Sequence, residues 1–85
     1  MTIQDRPEYT AHRHCIYNRA ELERSRDIGC FSCMKIFHNA QLINEYCDGG
    51  ETALCPCCSK DSLIGDASGY PITMTFLHGM HEIWC

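Results

Sequence analysis

Apolar residues recur with helical spacing in one stretch near the end of the chain. On a wheel of 3.6 residues per turn, five side chains fall on one face: Phe76, Leu77, Met80, Ile83 and Trp84. Three polar side chains fall away from it: His78, His81 and Glu82. Thr73 is a suitable N-cap. The pattern predicts an amphipathic helix from Met74 to Trp84 whose apolar face covers the core, or alternatively forms a dimer or partner face.

The other apolar runs are short and separated by turn residues. Residues 34–37, 52–54 and 62–65 each predict a short strand. Asn39 predicts the cap of a short helix through Tyr46, ended by Gly49-Gly50. Residues 66–71 predict a loop.

The first part of the chain has a weaker pattern. Asn18 and Glu21 have the spacing of a capping box, which predicts a mostly charged helix stopped by Gly29. Residues 1–12 are polar, contain Pro7 and show no period. We therefore expect them to form a loose N-terminal arm of a single domain that spans residues 1–85.

Four of the eight cysteines form two CxxC pairs, with 21 residues between them. A two-residue gap lets a tight turn direct both thiolates at one ion, and a second such turn completes a tetrahedron. The spacing predicts one structural Zn²⁺ bound by Cys30, Cys33, Cys55 and Cys58. The predicted fold is a small α+β domain of zinc-ribbon or treble-clef-like type, with short strands and a C-terminal amphipathic helix.

Chain length and cysteine usage agree with a metal. A chain of 85 residues buries a modest core, which a structural metal commonly supplements. It has no apolar run of 18 residues, and its N-terminal stretch lacks the apolar segment of a secretory signal. We therefore expect a cytoplasmic protein without a membrane partner, in a reducing compartment where paired cysteines hold metal instead of forming disulfides.

The charge is negative and uneven. The formal net charge is −4; residues 1–26 carry five arginines against four acids, whereas residues 27–85 carry two lysines against seven acids. Nucleic-acid binding normally requires a basic surface, so we expect no nucleic-acid partner for the acidic, cysteine-bearing part. The N-terminal arginines keep a local contact with nucleic acid open as an alternative.

The remaining cysteines, Cys15, Cys47, Cys57 and Cys85, are interpreted as small residues in a reduced protein. A second metal site would require the two ends of the chain to meet. Its candidate ligands are His12, His14, Cys15, His78, His81 and Cys85. The sequence leaves this site open, because the spacing of these residues is not typical of known metal motifs.

Two enzyme interpretations compete with a structural metal site. His38-Asn39 lies between the cysteine pairs, as in a nuclease of the HNH type, but a Cys₄ site has no open position for water and no set of oxygen ligands for Mg²⁺ is evident. A thioredoxin-like redox pair would need a βαβ context, which the pattern lacks. We therefore predict no catalytic residue.

Two segments carry a resemblance to a known family: Gly29-Cys30-Phe31-x-Cys33 and Thr52-Ala53-Leu54-Cys55-Pro56-x-Cys58. The chain resembles a family of small, functionally uncharacterised bacterial cytoplasmic proteins over about residues 14 to 85. Further residues fit the family pattern: Asn18, Ile36, Phe37, Asp61, Ser62, Ile64, Gly65, Pro71, Ile72, Thr73, Phe76, Leu77, Met80, His81 and Trp84.

The resemblance implies a zinc-ribbon-like cytoplasmic protein and supplies no activity. The chain departs from the pattern at Ser59, where the family tends to have Gly, and at Cys57, where it has another residue. A Gly after the second pair eases a left-handed backbone. The second departure makes Cys57 a bystander beside the ligands Cys55 and Cys58.

The function predicted from the sequence is a non-catalytic module that contacts another protein, with zinc as a structural support. The alternatives are a nucleic-acid-binding zinc ribbon, an HNH-like nuclease, and an immunity or antitoxin protein. Salt-dependent binding to DNA and RNA distinguishes the first alternative from the prediction, and a neighbouring toxin gene supports the last one.

Overall fold

The computed structural model describes residues 5–85. Helix α1, Pro7–Thr10, continues into a 3₁₀ turn, Ala11–Cys15. Helix α2 is Arg19–Glu23 and helix α3 is Met74–Trp84. Short 3₁₀ turns are Ala40–Leu42, Asp48–Gly50 and Asp66–Ser68. The strands are β1 Ile28–Cys30, β2 Ile36–Phe37, β3 Tyr46–Cys47, β4 Thr52–Ala53 and β5 Leu63–Gly65. The predicted α+β class is thus confirmed.

The strands form two antiparallel sheets. In the first, β1 lies between β2 and β5; in the second, β3 pairs with β4 around the turn at Asp48–Gly50. In the central strand, Gly29 is opposite Ile64, and Cys30 is opposite Leu63. Because side chains alternate across a strand, Cys30 and Leu63 share one face of the sheet and Ile64 lies on the other.

Each face of this sheet is covered by its own apolar cluster. The cysteine-side cluster contains Leu22, Ile28, Cys30, Ile43, Ala53, Cys55 and Leu63. The helix-side cluster contains Ala11, Cys15, Phe31, Ile64, Phe76, Leu77 and Met80. The sheet therefore separates a core that includes two cysteines of the CxxC pairs from a core made largely by α3.

Gly29 has a role that the sequence pattern did not predict. It lies in β1 and ends no helix, since α2 finishes at Glu23. A Cβ built at Gly29 would lie 2.7 Å from Leu77 Cδ1. The missing side chain therefore lets α3 pack closely on the helix-side face of the sheet.

The predicted helix Met74 to Trp84 is confirmed with the same bounds. The Phe76 N–H donates to Thr73 Oγ1 at 3.2 Å, so the predicted cap is present. Phe76, Leu77 and Met80 are buried. The last two residues of the apolar face, Ile83 and Trp84, are partly buried. The apolar face of the helix is therefore directed at the core along most of its length.

The prediction of a loose N-terminal arm is wrong for residues 5–12. Helix α1 packs against α3, and Ala11 is fully buried. The indole N–H of Trp84 donates to the carbonyl of Glu8 at 3.2 Å, and the Tyr9 ring lies 4.9 Å from the Trp84 ring. The part of the predicted arm at residues 1–4 lies outside the described residues.

The predicted capping box at Asn18 is also wrong. The Asn18 side chain is buried, with its Nδ2 donating to the carbonyls of His14 and Leu63 and its Oδ1 accepting from the Ala53 N–H. Asn18 thus connects three segments of the chain instead of capping α2. Within residues 5–85, no helix has both the length and the apolar composition needed to cross a bilayer.

Candidate metal centre

The two CxxC segments form turns with the same backbone hydrogen bonds. In the first, Cys30 N–H donates to Lys35 O at 2.9 Å and Cys30 O accepts from Met34 N–H at 2.9 Å. In the second, Cys55 N–H donates to Lys60 O at 2.9 Å and Cys55 O accepts from Ser59 N–H at 2.9 Å. The two turns therefore have the same backbone geometry, and each directs two thiols inward. We call residues 30–33 the first knuckle and residues 55–58 the second knuckle.

Each knuckle is followed by a residue in the left-handed backbone region. The φ angle is 66° at Met34 and 63° at Ser59. Residues other than Gly are uncommon in this region. The left-handed conformation expected at Ser59, where the resembling family tends to have Gly, is confirmed, and the same conformation at Met34 was not anticipated.

The four thiols meet at one point. The sulfur atoms of Cys30, Cys33, Cys55 and Cys58 all lie within 4.8 Å of one another. Cys30 Sγ lies 3.6 Å from Cys58 Sγ, and Cys33 Sγ lies 3.7 Å from Cys55 Sγ. A tetrahedral ion with a metal–sulfur distance of about 2.3 Å gives sulfur–sulfur edges of about 3.8 Å. The donor set therefore fits a tetrahedral metal ion. None of the eight cysteines forms a disulfide.

The first cysteine of each knuckle is more buried than the second. Cys30 and Cys55 are fully buried, whereas Cys33 and Cys58 are partly exposed. Backbone N–H groups reach the sulfurs: Cys33 N–H donates to Cys30 Sγ and Cys57 N–H donates to Cys55 Sγ, both at 3.4 Å. These donors stabilise negative charge on sulfur and therefore favour metal-bound thiolates.

Ser62 is a residue at this site whose role sequence reasoning missed. Its buried hydroxyl lies 3.0 Å from Cys30 Sγ. When Cys30 is a thiolate it can only accept a hydrogen bond, so the Ser62 hydroxyl then donates. No spacing rule links the two residues; the pairing arises because β5 places Ser62 beside β1, where Phe31 N–H donates to Ser62 O.

Three of the four thiols have pKa values shifted in different directions. Burial raises the pKa of Cys33 and that of Cys55. At Cys58 burial also acts upward, but a backbone hydrogen bond from Lys60 and hydrogen bonds from the three neighbouring thiols lower the pKa to about 7. A bound cation would oppose the effect of burial at Cys33 and Cys55 and favour their thiolate forms.

The candidate ligands for a second metal site are dispersed. Among residues 5–85, the four knuckle cysteines are the one group of three or more Cys, His, Asp or Glu side chains with converging ligand atoms. His14 pairs with Glu21, His78 pairs with Glu82, and Cys15 is buried in the helix-side cluster.

The segments that carry these candidates do meet, but their side chains pack instead of converging on an ion. The His12 ring stacks on the Trp84 ring with centroids 3.8 Å apart. The prediction that His81 is directed away from the core is wrong. Its Nδ1 donates to the Phe31 carbonyl at 2.9 Å. Cys85 is exposed.

The residues considered for a nuclease also have structural partners. The His38 ring pairs with the Asp27 carboxylate at 2.7 Å in an exposed position. The Asn39 side chain accepts a hydrogen bond from Gln41 N–H and caps a 3₁₀ turn, as predicted, although the expected helix through Tyr46 is limited to Ala40–Leu42.

Comparison with known proteins finds no matching family model, no matching curated protein and no matching solved structure. The resemblance to a bacterial family therefore stays a prediction, and the geometry of the four cysteines alone indicates a metal centre.

Proposed function

We propose that this protein is a zinc-binding module in which one structural Zn²⁺, held by Cys30, Cys33, Cys55 and Cys58, supports a non-catalytic contact with another protein. The repeated knuckle suggests a zinc-ribbon or treble-clef-like site, and we propose the bacterial cytoplasm as its compartment. The observation that carries the proposal is the convergence of four sulfur atoms within 4.8 Å of one another.

The ligand set supports a structural role. Four thiolates fill a tetrahedral shell, so a bound Zn²⁺ keeps no position for an activated water. Two of the four sulfur atoms belong to buried residues of the cysteine-side cluster. The metal would therefore hold the two knuckles together as part of a core instead of meeting a substrate.

Two of the five N-terminal arginines are paired within the fold, which supports a protein partner over a nucleic acid. Arg6 pairs with Glu8, and Arg19 pairs with Glu23 while its guanidinium lies 4.4 Å from the Tyr46 ring centre. These cations are engaged within the fold. The net charge of −4 also opposes association with a phosphate backbone.

The contact surface that we propose is the β3–β4 hairpin. It carries three exposed acids, Glu45, Asp48 and Glu51, of which Asp48 accepts a hydrogen bond from the Thr52 hydroxyl. Two further acids predicted to share this side are differently placed: Asp66 accepts from the Arg26 N–H, and Asp61 lines a separate cleft. A partner with a basic patch would complement the hairpin.

The test is a quantitative pull-down with the metal-loaded protein, followed by measurement of binding to the recovered partner. A Glu45→Lys, Glu51→Lys double variant should lose the partner, whereas Glu82→Lys on the exposed side of α3 should keep it. Binding to mixed DNA and RNA at physiological salt that exceeds partner binding would contradict the proposal.

A further inference from the structure

A cleft with a volume of about 310 Å³ lies beside the second knuckle. Its walls come from distant parts of the chain: the first knuckle and the end of β1, the residues that follow the second knuckle, the N-terminal 3₁₀ turn and the end of α3. None of the four knuckle cysteines lines this cleft.

One wall of the cleft is aromatic. It contains the stacked rings of His12 and Trp84 and the ring of Phe31, whose centroid lies 5.9 Å from that of His12. Burial lowers the pKa of His12, against a smaller opposing effect of Asp61. The imidazole is therefore neutral at neutral pH, and the wall offers an uncharged surface to an apolar group.

The lining of the same cleft includes one cationic and one anionic side chain that have no side-chain partner among the described residues. Lys60 and Asp61 both line it and are exposed, and neither side chain makes a hydrogen bond or ion pair with another side chain among residues 5–85. Burial raises the pKa of Cys15, and the negative charge of Asp61 adds to this effect.

The neighbouring cavity provides a contrast. It has a volume of about 420 Å³ and also includes His12 and Trp84, but Arg13 is its one charged side chain and the rest is mainly apolar. The cleft beside the second knuckle therefore differs in presenting both signs of charge next to an apolar wall.

We propose that this cleft binds a free α-amino acid with an apolar side chain. The ammonium group of the ligand pairs with the Asp61 carboxylate, its carboxylate pairs with the Lys60 ammonium, and its side chain lies against the wall of His12, Trp84 and Phe31. The four-carbon stem of lysine lets its charge adjust to a small ligand.

The small size of the cleft and the presence of both charges in its lining favour a single amino acid over a longer peptide. About 310 Å³ is at the small end of ligand cavities. Each added residue separates the two termini of an extended peptide by up to about 3.5 Å, whereas Lys60 and Asp61 line the same small cleft. A free amino acid carries both charges on one carbon atom and meets both residues together.

The protein contains its own reporter, since Trp84 is its single tryptophan and lines the cleft. Titration of the metal-loaded protein with L-leucine should give a saturable change in Trp84 fluorescence. N-acetyl-L-leucine lacks the ammonium and L-leucinamide lacks the carboxylate, so each should bind roughly tenfold more weakly or worse.

Variants assign the two charges. In Asp61→Asn, L-leucine should bind as weakly as N-acetyl-L-leucine binds to the wild type; in Lys60→Gln, it should bind as weakly as L-leucinamide does. Glu23→Gln and Lys35→Gln change exposed charges outside the lining of the cleft and should bind L-leucine normally. Absence of saturable leucine binding, equal affinity for the three compounds, or unchanged binding by both cleft variants would each overturn the proposal. Metal content, measured in the same samples, reports separately on the proposed function.

Discussion

The two apolar clusters on opposite faces of the central sheet are held together by different means. The helix-side cluster is closed by side chains alone, with Leu77 and Met80 of α3 fully buried against it. The cysteine-side cluster includes Cys30 and Cys55, whose sulfurs belong to the candidate metal centre. One core is therefore closed by packing alone, whereas the other contains four converging thiols that fit a metal ion.

The proposed metal would help so short a chain to fold. Structural zinc contributes about 10–16 kcal/mol of apparent binding free energy, which is comparable to the whole stability of a typical domain. The strands that carry or adjoin the knuckles are only two or three residues long, so a bound ion would add a connection between them. The helix side depends on ordinary packing, so its defects should be smaller and independent of metal.

The largest effect is expected from loss of a ligand. Cys58→Ser should lose the metal and unfold the protein, whereas Cys57→Ser should keep both, because the Cys57 thiol is exposed and outside the group of four. Metal analysis and thermal unfolding followed by circular dichroism measure the two outcomes. If Cys57→Ser loses metal and Cys58→Ser keeps it, the ligand assignment is wrong.

A defect in the helix-side cluster should be intermediate. Met80→Ala should lower the free energy of unfolding by about 2–5 kcal/mol, because Met80 is fully buried. Met74→Ala, at a residue 52% exposed, should change it by less than about 0.5 kcal/mol.

Urea unfolding of metal-loaded samples measures both methionine variants. At temperatures where Met80→Ala remains folded, it should retain a full complement of metal. A folded Met80→Ala protein with reduced metal content would show that the two clusters are not separate supports.

The sequence predicted the parts of the molecule that depend on local spacing. The CxxC pairs specify the knuckles, and Thr73 with the apolar stripe specifies α3, because these signals lie within a few residues of one another. What remained hidden depends on contacts between distant residues. Nothing near Gly29 shows that Leu77 will approach it, and nothing near Trp84 shows that its indole will meet the Glu8 carbonyl.

The candidate site also combines features that follow from local spacing with features that depend on distant contacts. The convergence of the four cysteines could be predicted from spacing, whereas the Ser62 hydroxyl at Cys30 Sγ could not, since it arises from the pairing of β1 with β5. Asn18 illustrates how a tertiary contact overrides a local signal: its side chain bonds to Leu63 and Ala53 in place of capping α2.

Removal of the Ser62 hydroxyl should have a smaller effect on the metal side. Ser62→Ala should weaken metal affinity roughly tenfold, because the Cys30 thiolate loses a hydrogen-bond donor in a buried position. Competition with a chelator measures the affinity. Ser32→Ala, in the first knuckle, serves as the control, and equal affinities of the two variants would mean that Ser62 has no influence on the metal.

The smallest effect is expected at the start of α3. Thr73→Ala should lower the free energy of unfolding by about 1 kcal/mol, since the Phe76 N–H loses its acceptor. Thr75→Ala, two residues later and exposed, should leave the free energy of unfolding nearly unchanged. A loss of metal in Thr73→Ala would contradict the separation of the two sides.

The central claim is that one side of this protein is completed by a single zinc ion. Native mass spectrometry combined with elemental analysis, on protein purified without added metal, tests it most directly. The account predicts one zinc per chain, retained at neutral pH and released in acid as the thiolates are protonated. A metal-free folded chain, iron in place of zinc, or disulfides among the four knuckle cysteines in freshly prepared protein would contradict it.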